Sequence, residues 1–134
     1  MDIKSIYYDI GNAVKGLCDK VYAHSRPKAV DNYLNCYIVI DIPYPIKNEE
    51  MDFSGRFNDY TTTAQIEVFA RDTISRQNPN LFDVTGMSTL VEKVMAVFPI
   101  VTDNIVARRP RITIQAQDND GFSVAIIQVE VRTK

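Results

Sequence analysis

The sequence predicts an α+β fold, a mostly antiparallel sheet with two amphipathic helices packed on one face. Two segments carry apolar residues at steps of three and four, and other segments are β-branched or alternate between apolar and polar residues. A strong turn signal also joins the last two strands into a C-terminal β-hairpin. With 134 residues the chain is expected to form a single domain spanning residues 1–134.

The first helix is predicted at the N-terminus, where polar residues fall between apolar ones at helical spacing. Asp2 can cap its first turn, and Gly16 is expected to mark its end. One buried stripe follows from this spacing, formed by Ile3, Ile6, Tyr7, Ile10, Val14 and Leu17.

Two strands are predicted next, a short one at Val21–Ala23 and a long one at Cys36–Ile42. The long strand is apolar on both faces through Val39, which is typical of a strand inside a sheet rather than at its edge. Pro43 and Pro45 end it, because proline cannot donate to a strand ladder.

A third strand and a second helix are predicted in the middle of the chain. Thr61–Ala70 alternates cleanly and indicates a strand with one buried face. Asn78-Pro79 is typical of a helix start, and Pro99 ends the helix. The apolar stripe of this helix is predicted to contain Leu81, Val84, Met87 or Ser88, Val91, Val94, Met95 and Phe98.

The chain ends in the predicted hairpin. Ile112, Ile114 and Ala116 alternate with polar residues before the turn signal at Asp118–Gly121, and Phe122–Arg132 returns. Both helices need one sheet face to bury against. The other face carries Thr and Gln along much of its length and is free to be wet or to meet a partner.

The segment Pro43–Asp59, a long loop between two central strands, follows neither a strand nor a helix period. Connections this long are uncommon in compact domains and are usually functional or disordered. Two interpretations stay open for its apolar residues: they fold back on their own domain, or they anchor a contact with a neighbour. The candidate contact residues here are Tyr44, Ile46, Glu49, Glu50, Asp52, Phe53 and Phe57.

One basic cluster stands out, formed by Arg108, Arg109 and Arg111 around Pro110. Three interpretations are open: a solvated turn ahead of a strand, a salt-bridging subunit interface, or a phosphate contact. The loop acids at 49, 50 and 52 are candidate partners across a subunit boundary. The net charge of −2 does not indicate a nucleic-acid-binding chain as a whole.

No motif for catalysis, a cofactor or a metal ion is present, and none of these is expected. The five glycines are isolated, so no phosphate-binding loop forms, and His24 is the only histidine. Cys18 and Cys36 match no metal spacing and are predicted to be buried reduced thiols. The sequence shows no signal peptide and no membrane-spanning run, which favours assembly in a reducing cytoplasm.

The order of elements has a counterpart in a known family. The segments concerned are DIKSIYYDIGNAVKGL, VYAHSRPKA, CYIVIDI, YTTTAQIEVFARD, LFDVTGMSTLVEKVMAVFP and RITIQAQDNDGFSVAIIQVEVRTK. In order and length they resemble the tail completion, or tail terminator, proteins of tailed bacteriophages, over nearly the whole chain. The family has no sharp signature motif, so the resemblance is one of organisation.

This resemblance implies a small α+β structural protein without enzymatic activity. Such proteins form rings, commonly hexameric, at the head-proximal end of the tail tube, where they end tube growth and join the tail to the head. The implied partners are further copies of the chain, tail-tube proteins and head-connector proteins, with non-specific contact to passing DNA left open. The implied location is the virion neck or tail, after assembly in the host cytoplasm.

Three alternatives remain from the sequence. The chain could be another phage connector or minor tail subunit, since these share the same organisation. It could be a small module that binds a peptide or small ligand through the loop or the Thr and Gln face. An enzyme with an unusual site has no support beyond the acids of the loop.

Overall fold

A computed structural model describes residues 3–23, 36–51, 57–71, 84–115 and 122–133. Within these ranges the chain forms two helices and a mostly antiparallel sheet of seven strands, which confirms the α+β class. The elements are α1 (Ile3–Val14), β1 (Lys20–Ala23), β2 (Cys36–Asp41), β3 (Lys47–Met51), β4 (Phe57–Arg71), α2 (Val84–Met95), β5 (Ile100–Val101), β6 (Ile105–Gln115) and β7 (Phe122–Thr133).

The strands lie in the order β1-β2-β4-β7-β6-β5, with β3 pairing on β4 off this path. Only the β1–β2 pair is parallel among the described strands. The long strand β4 organises the sheet, because β7 covers one of its sides while β2 and β3 share the other. β2 pairs with its residues 65–70 and β3 with its residues 57–61.

The main core lies between the helices and one face of the sheet, as predicted. Helix α1 contacts β1 and β2 at one end of the sheet and β5 and β6 at the other, so the sheet curls around this helix. Helix α2 packs on the central strands β4 and β7. The residues that meet in this core include Ile6, Ile10, Val14, Ile38, Ile40, Ile66, Val68, Met87, Leu90, Val94, Ile105 and Ile127.

A second, smaller apolar cluster occupies half of the opposite face. Tyr37 stacks on Phe69 with 4.6 Å between ring centroids, and it meets Phe122 edge-on at 5.2 Å. Val39 and Val124 complete the buried part of this cluster. The Thr and Gln side chains predicted for this face therefore occupy its other half, where Gln65 and Gln128 pair across β4 and β7 and Thr61 and Thr63 lie further along β4.

The helix ends follow the sequence signals. The N–H of Leu17 donates to the Val14 carbonyl, and Gly16 adopts a φ of 90° in the left-handed region. Glycine adopts this conformation without steric cost, so it ends α1 as expected. In α2 the buried stripe includes Leu90, which the sequence interpretation left out.

The expectation that Pro43–Asp59 lacks regular structure was wrong for much of the segment. Residues 47–51 form β3 and residues 57–59 begin β4, paired in an antiparallel ladder. The ladder has two register shifts, between Asn48 and Glu50 and between Glu50 and Met51. A bulge breaks the alternation of side chains, which explains why the strand had no detectable period of two.

The position of the arginine cluster in the fold also differs from the sequence interpretation. Arg108, Arg109 and Arg111 lie inside β6, which starts at Ile105, rather than in a turn ahead of the strand. The strand crosses a register shift between Arg108 and Arg111, and Arg109 has a positive φ of 57°. A charged bulge containing proline does not look like a strand in sequence, and the two-residue strand β5 gave no signal either.

Some predictions fall on residues that the structure does not describe. These are the cap at Asp2, the helix start at Asn78-Pro79, and the turn at Asp118–Gly121.

Candidate functional site

Tyr44 leads from β2 into β3 and lies over the polar half of the sheet. Its backbone carbonyl accepts a hydrogen bond from Thr62 Oγ1 at 3.3 Å. Its hydroxyl accepts one from Gln128 Nε2 at 2.7 Å. The residue therefore folds back on its own domain, yet it remains 44% exposed and can contact a second molecule.

Arg108 and Arg109 share one carboxylate, that of Glu130 on the neighbouring strand β7. Arg109 Nη1 lies 3.4 Å from Glu130 Oε2, and Arg108 Nε lies 4.0 Å from the same oxygen. All three side chains are exposed, and exposed ion pairs contribute about 0–1 kcal/mol to stability. The arginines can therefore exchange this carboxylate for another at little cost.

These two regions meet in one cleft, here called the polar cleft, with a volume of about 530 Å³. Tyr44, Pro45 and Lys47 form one wall, and side chains of β4, β6 and β7 form the rest, among them Thr63, Arg108, Glu130 and Arg132. The lining therefore contains three cationic side chains, Lys47, Arg108 and Arg132, and one carboxylate, that of Glu130. The structure brings together a loop residue and an arginine that the sequence singled out separately.

Beyond the bulge, β6 runs along an open edge of the sheet. On one side of β6, residues 111–115 pair with β7. On its other side, β5 pairs with residues 106 and 107 of β6 alone. No described strand covers the remaining edge. Ile112 is 38% exposed and Ile114 is 50% exposed, so this edge, here called the β6 edge, presents two large apolar side chains.

At the opposite end of the sheet, the residues that the structure describes also leave an edge uncovered. β1 pairs only with β2 among the described strands. Between β1 and α1 lies a second cleft of about 530 Å³, the α1–β1 cleft, whose lining includes Tyr7, Tyr8 and Tyr22. Tyr8 is 62% exposed. Burial, together with the nearby Asp41 carboxylate, raises the pKa of Tyr7, so this phenol stays neutral.

Of the other loop residues that the sequence singled out, Ile46 is the one whose side chain the structure describes, and it does not line the polar cleft. Ile46 is half-buried, and Phe57 opens β4. Glu49 and Glu50 lie on β3, where the structure describes their backbone alone. Asp52, Phe53 and also His24 lie outside the described residues.

Cys18 and Cys36 are close neighbours, which sequence spacing did not indicate. Both are half-buried free thiols rather than fully buried ones, and they hydrogen bond to each other. The hydrogen bond from Cys18 lowers the pKa of Cys36 to about 7. The same hydrogen bond stabilises the protonated form of Cys18, and together with burial it raises the pKa of Cys18.

The described residues contain no group of three or more His, Cys, Asp or Glu side chains placed to hold a metal ion. In the same part of the chain, neither helix has the length and apolar character needed to cross a membrane.

Glu130 and Gln128 are two of the site residues that sequence reasoning missed. Both lie on β7, whose alternate residues are apolar and buried. The available signal was the polar run Gln128, Glu130 and Arg132 on one face of a strand that pairs with the arginine segment. Recognising it required the register between the two strands.

The comparisons with known proteins inform the fold. A scan against models of known families finds no match, and no curated protein matches the chain. The chain is similar to one solved structure whose name carries no functional meaning. The alignment spans 100% of this chain and 96% of the other, with a TM-score of 0.61 and 15% sequence identity. At this identity the similarity shows a shared fold alone.

Proposed function

We propose that this chain is a structural subunit that associates with copies of itself into a closed ring at the head-proximal end of a phage tail. The observation that supports this most is the pair of unlike open sheet edges. One is the β6 edge with its exposed isoleucines, and the other is β1 beside the α1–β1 cleft. An interface between two different surfaces repeats from copy to copy and closes into a ring when the rotation permits.

The occupant proposed for the β6 edge is β1 of a second copy. An open strand offers unpaired N–H and C=O groups, and an added strand satisfies them through main-chain hydrogen bonds. In this contact the aromatic residues of the α1–β1 cleft, Tyr8 foremost, are the proposed cover for Ile112 and Ile114. Burial of apolar area stabilises such a contact by roughly 25 cal/mol per Å².

The β6 edge is restricted in a way that suits a specific contact. Pro110 has no N–H to donate, and the bulge at Arg109 interrupts the ladder. Proline, bulges and charges are the features by which proteins prevent indiscriminate edge pairing. Within the described part of β6, residues 111–115 alone are regular and uncovered, which limits the added strand to a short one such as the four-residue β1.

The polar cleft supplies a second contact in this proposal. Arg108 lines this cleft and shares the exposed Glu130 carboxylate with Arg109, so an acid from a neighbouring copy can pair with the two arginines. Contact with passing DNA is the alternative for these arginines, and alanine substitution of Arg108, Arg109 and Arg111 separates the two. Loss of the ring with unchanged folding favours a protein contact, and an intact ring with impaired DNA retention favours phosphate.

The proposed location in the virion is inferred from the resemblance in element order to tail terminator proteins. The proposed role is to end tail-tube growth and to join the tail to the head, with tube and connector proteins as partners. The protein would be assembled in the host cytoplasm and retained in the virion neck. It has no enzymatic role in this proposal.

The test compares Ile112→Lys and Ile114→Lys with Ile3→Lys, an identical change at an isoleucine that is 48% exposed on α1. A lysine on an open edge disfavours strand addition. We expect the two β6 variants to remain folded but to lose the assembled mass in light scattering, while Ile3→Lys keeps it. Equal masses for all three variants would contradict the proposed edge contact.

A small ligand-binding module is a second candidate, favoured by the polar cleft with its three cations and one carboxylate. It predicts a monomer whose melting temperature rises with an anionic ligand. A monomeric mass together with such a rise would replace the ring proposal by this one.

A further inference from the structure

Cys18 and Cys36 meet where the turn after α1 lies beside the start of β2. The parallel register places Lys20 opposite Tyr37, so the preceding residues of the two strands are also side by side. The backbone N–H of Cys36 donates to Asp19 Oδ2 at 3.3 Å, which holds the two segments together. Cys18 precedes Asp19, and its thiol hydrogen bonds to Cys36.

This arrangement makes the two sulfur atoms unequal. Cys18 donates its S–H, and the Cys36 sulfur accepts it, which stabilises the Cys36 thiolate. The thiolate is the nucleophilic form of cysteine, whereas Cys18 holds its proton more tightly. Cys36 is therefore the more nucleophilic thiol of the pair, and Cys18 lies beside it.

Small molecules can reach the pair through the α1–β1 cleft. Cys18 lines this cleft, and the half-buried Cys36 is reached through its contact with Cys18. Lys15 and Lys20 line the same cleft, and Asp19 is its acid. The two ammonium groups favour an anionic molecule over a cationic one.

We propose that Cys18 and Cys36 form a reactive dithiol that a small anionic disulfide, such as oxidised glutathione, converts into an intrachain disulfide. The site opens on the cleft that a neighbouring copy covers in the proposed ring, so the reaction is expected in the unassembled chain.

The reaction is a pair of thiol–disulfide exchanges. The Cys36 thiolate attacks one sulfur of oxidised glutathione, forms a mixed disulfide and releases one glutathione thiolate, which takes up a proton. Cys18 then loses its proton to solvent and attacks the Cys36 sulfur, which releases the second glutathione as its thiolate. Two electrons pass from the dithiol to the small disulfide, and the Cys18–Cys36 bond replaces the glutathione disulfide bond.

The bond would join the α1–β1 turn to the first residue of β2 and close the chain between positions 18 and 36. Closing a loop lowers the entropy of the unfolded chain, so the oxidised protein should melt several degrees above the reduced one. Reduced glutathione reverses the bond, and in a reducing compartment the pair stays a dithiol.

The experiment uses the full chain, diluted until light scattering gives the monomer mass, in oxidised and reduced glutathione mixtures. Free thiols are blocked by alkylation before intact mass measurement. Wild type should lose both thiols together, carry no glutathione and show a higher melting temperature. The Cys18→Ser variant should stop at one glutathione adduct on Cys36, and Cys36→Ser should keep Cys18 free. Peptide mapping of the wild type without reductant should give the Cys18–Cys36 link even if a variant folds poorly.

Two free thiols in wild type at a high ratio of oxidised glutathione would overturn the proposal. So would stable adducts on both cysteines, or disulfides between chains in place of the intrachain bond.

Discussion

Single residues fix the conformation at points where the sequence alone offered several choices. Gly16 takes a left-handed φ that ends α1, whereas Gly11 lies inside that helix with ordinary geometry. The same residue type therefore has a conformational role at one position and only a propensity cost at the other. Cys18 and Cys36 show the same dependence on context, because their chemistry arises from their contact.

The two glycines give opposite expectations for the same substitution. At Gly11 a new Cβ would lie 3.6 Å from Ile40 Cδ1, an ordinary contact, so Gly11→Ala should stabilise the protein by about 0.5–1 kcal/mol. At Gly16 the φ of 90° strains any L side chain, so Gly16→Ala should destabilise it by about 1–2 kcal/mol. Urea unfolding of both variants measures these changes. A gain of stability at Gly16 would contradict the described helix end.

The reactivity of Cys36 should depend on pH in a defined way. Because Cys18 donates to it, the pKa of Cys36 is lowered from 9.0 to about 7, and its alkylation by iodoacetamide should be half-maximal near that pH. Cys18→Ala removes the donor, so the midpoint should rise toward 9.0, while Cys18→Ser keeps a hydroxyl donor and should shift it less. A midpoint that is the same in all three proteins would refute the thiol hydrogen bond.

At the scale of elements, hydrogen bonds between side chains and backbone fix how a helix and a strand lie relative to each other, in addition to the apolar core. Thr102, in the turn between β5 and β6, donates through Oγ1 to Asp9 Oδ2 of α1 at 2.6 Å. Thr102 Oγ1 also accepts hydrogen bonds from the backbone N–H groups of Asn104 and Ile105, each at 3.1 Å. One hydroxyl thus joins α1 to the start of β6, the strand that carries the open edge.

Thr102→Val keeps the shape of the side chain but removes its hydroxyl. A hydrogen bond to a carboxylate is lost and two backbone donors lose their acceptor, so we expect a loss of about 1–2 kcal/mol of unfolding free energy. Thr102→Ser retains the hydroxyl and serves as the matched control, with a smaller loss. Denaturant unfolding provides the measurement, and equal losses in the two variants would show that the hydroxyl is not what matters.

Strands and helices with a regular period were predictable from sequence, and irregular strands were not. The stripe of α1 and the alternation of β4 and β7 each follow from burial of one face, so composition and spacing suffice. The prediction was wrong at Ile3, the first residue of α1, which is 48% exposed. β3 and the first half of β6 contain register shifts that break the period, and their strand state depends on partners far along the chain. Propensity cannot supply such non-local pairing.

For the whole molecule, the sequence was sufficient to predict the fold class, but it indicated only separate residues of the site. Tyr44 and Arg108 stood out separately in the sequence, but their meeting in the polar cleft depends on β3 and β6 lying near the same end of the sheet. Glu130, which pairs with two arginines, had no signal of its own until the β6–β7 register was known. The open edges likewise become visible only from the complete strand order.

The two open edges lead to the central expectation for the molecule. Identical edges would pair into a twofold dimer, whereas the β6 edge and the β1 edge differ in length, charge and apolar content. Unlike edges repeat in one direction, which gives a closed ring or an open filament. Proline and the bulge in β6 limit indiscriminate pairing. The rotation between neighbouring copies decides between the two assemblies, and the proposal is that it closes into a ring.

The most direct test is the mass of the purified full-length protein, measured by light scattering over a wide range of concentrations. A closed ring predicts one assembled species of fixed stoichiometry whose proportion rises with concentration but whose size does not. A monomer of 15.2 kDa at every concentration would contradict the account.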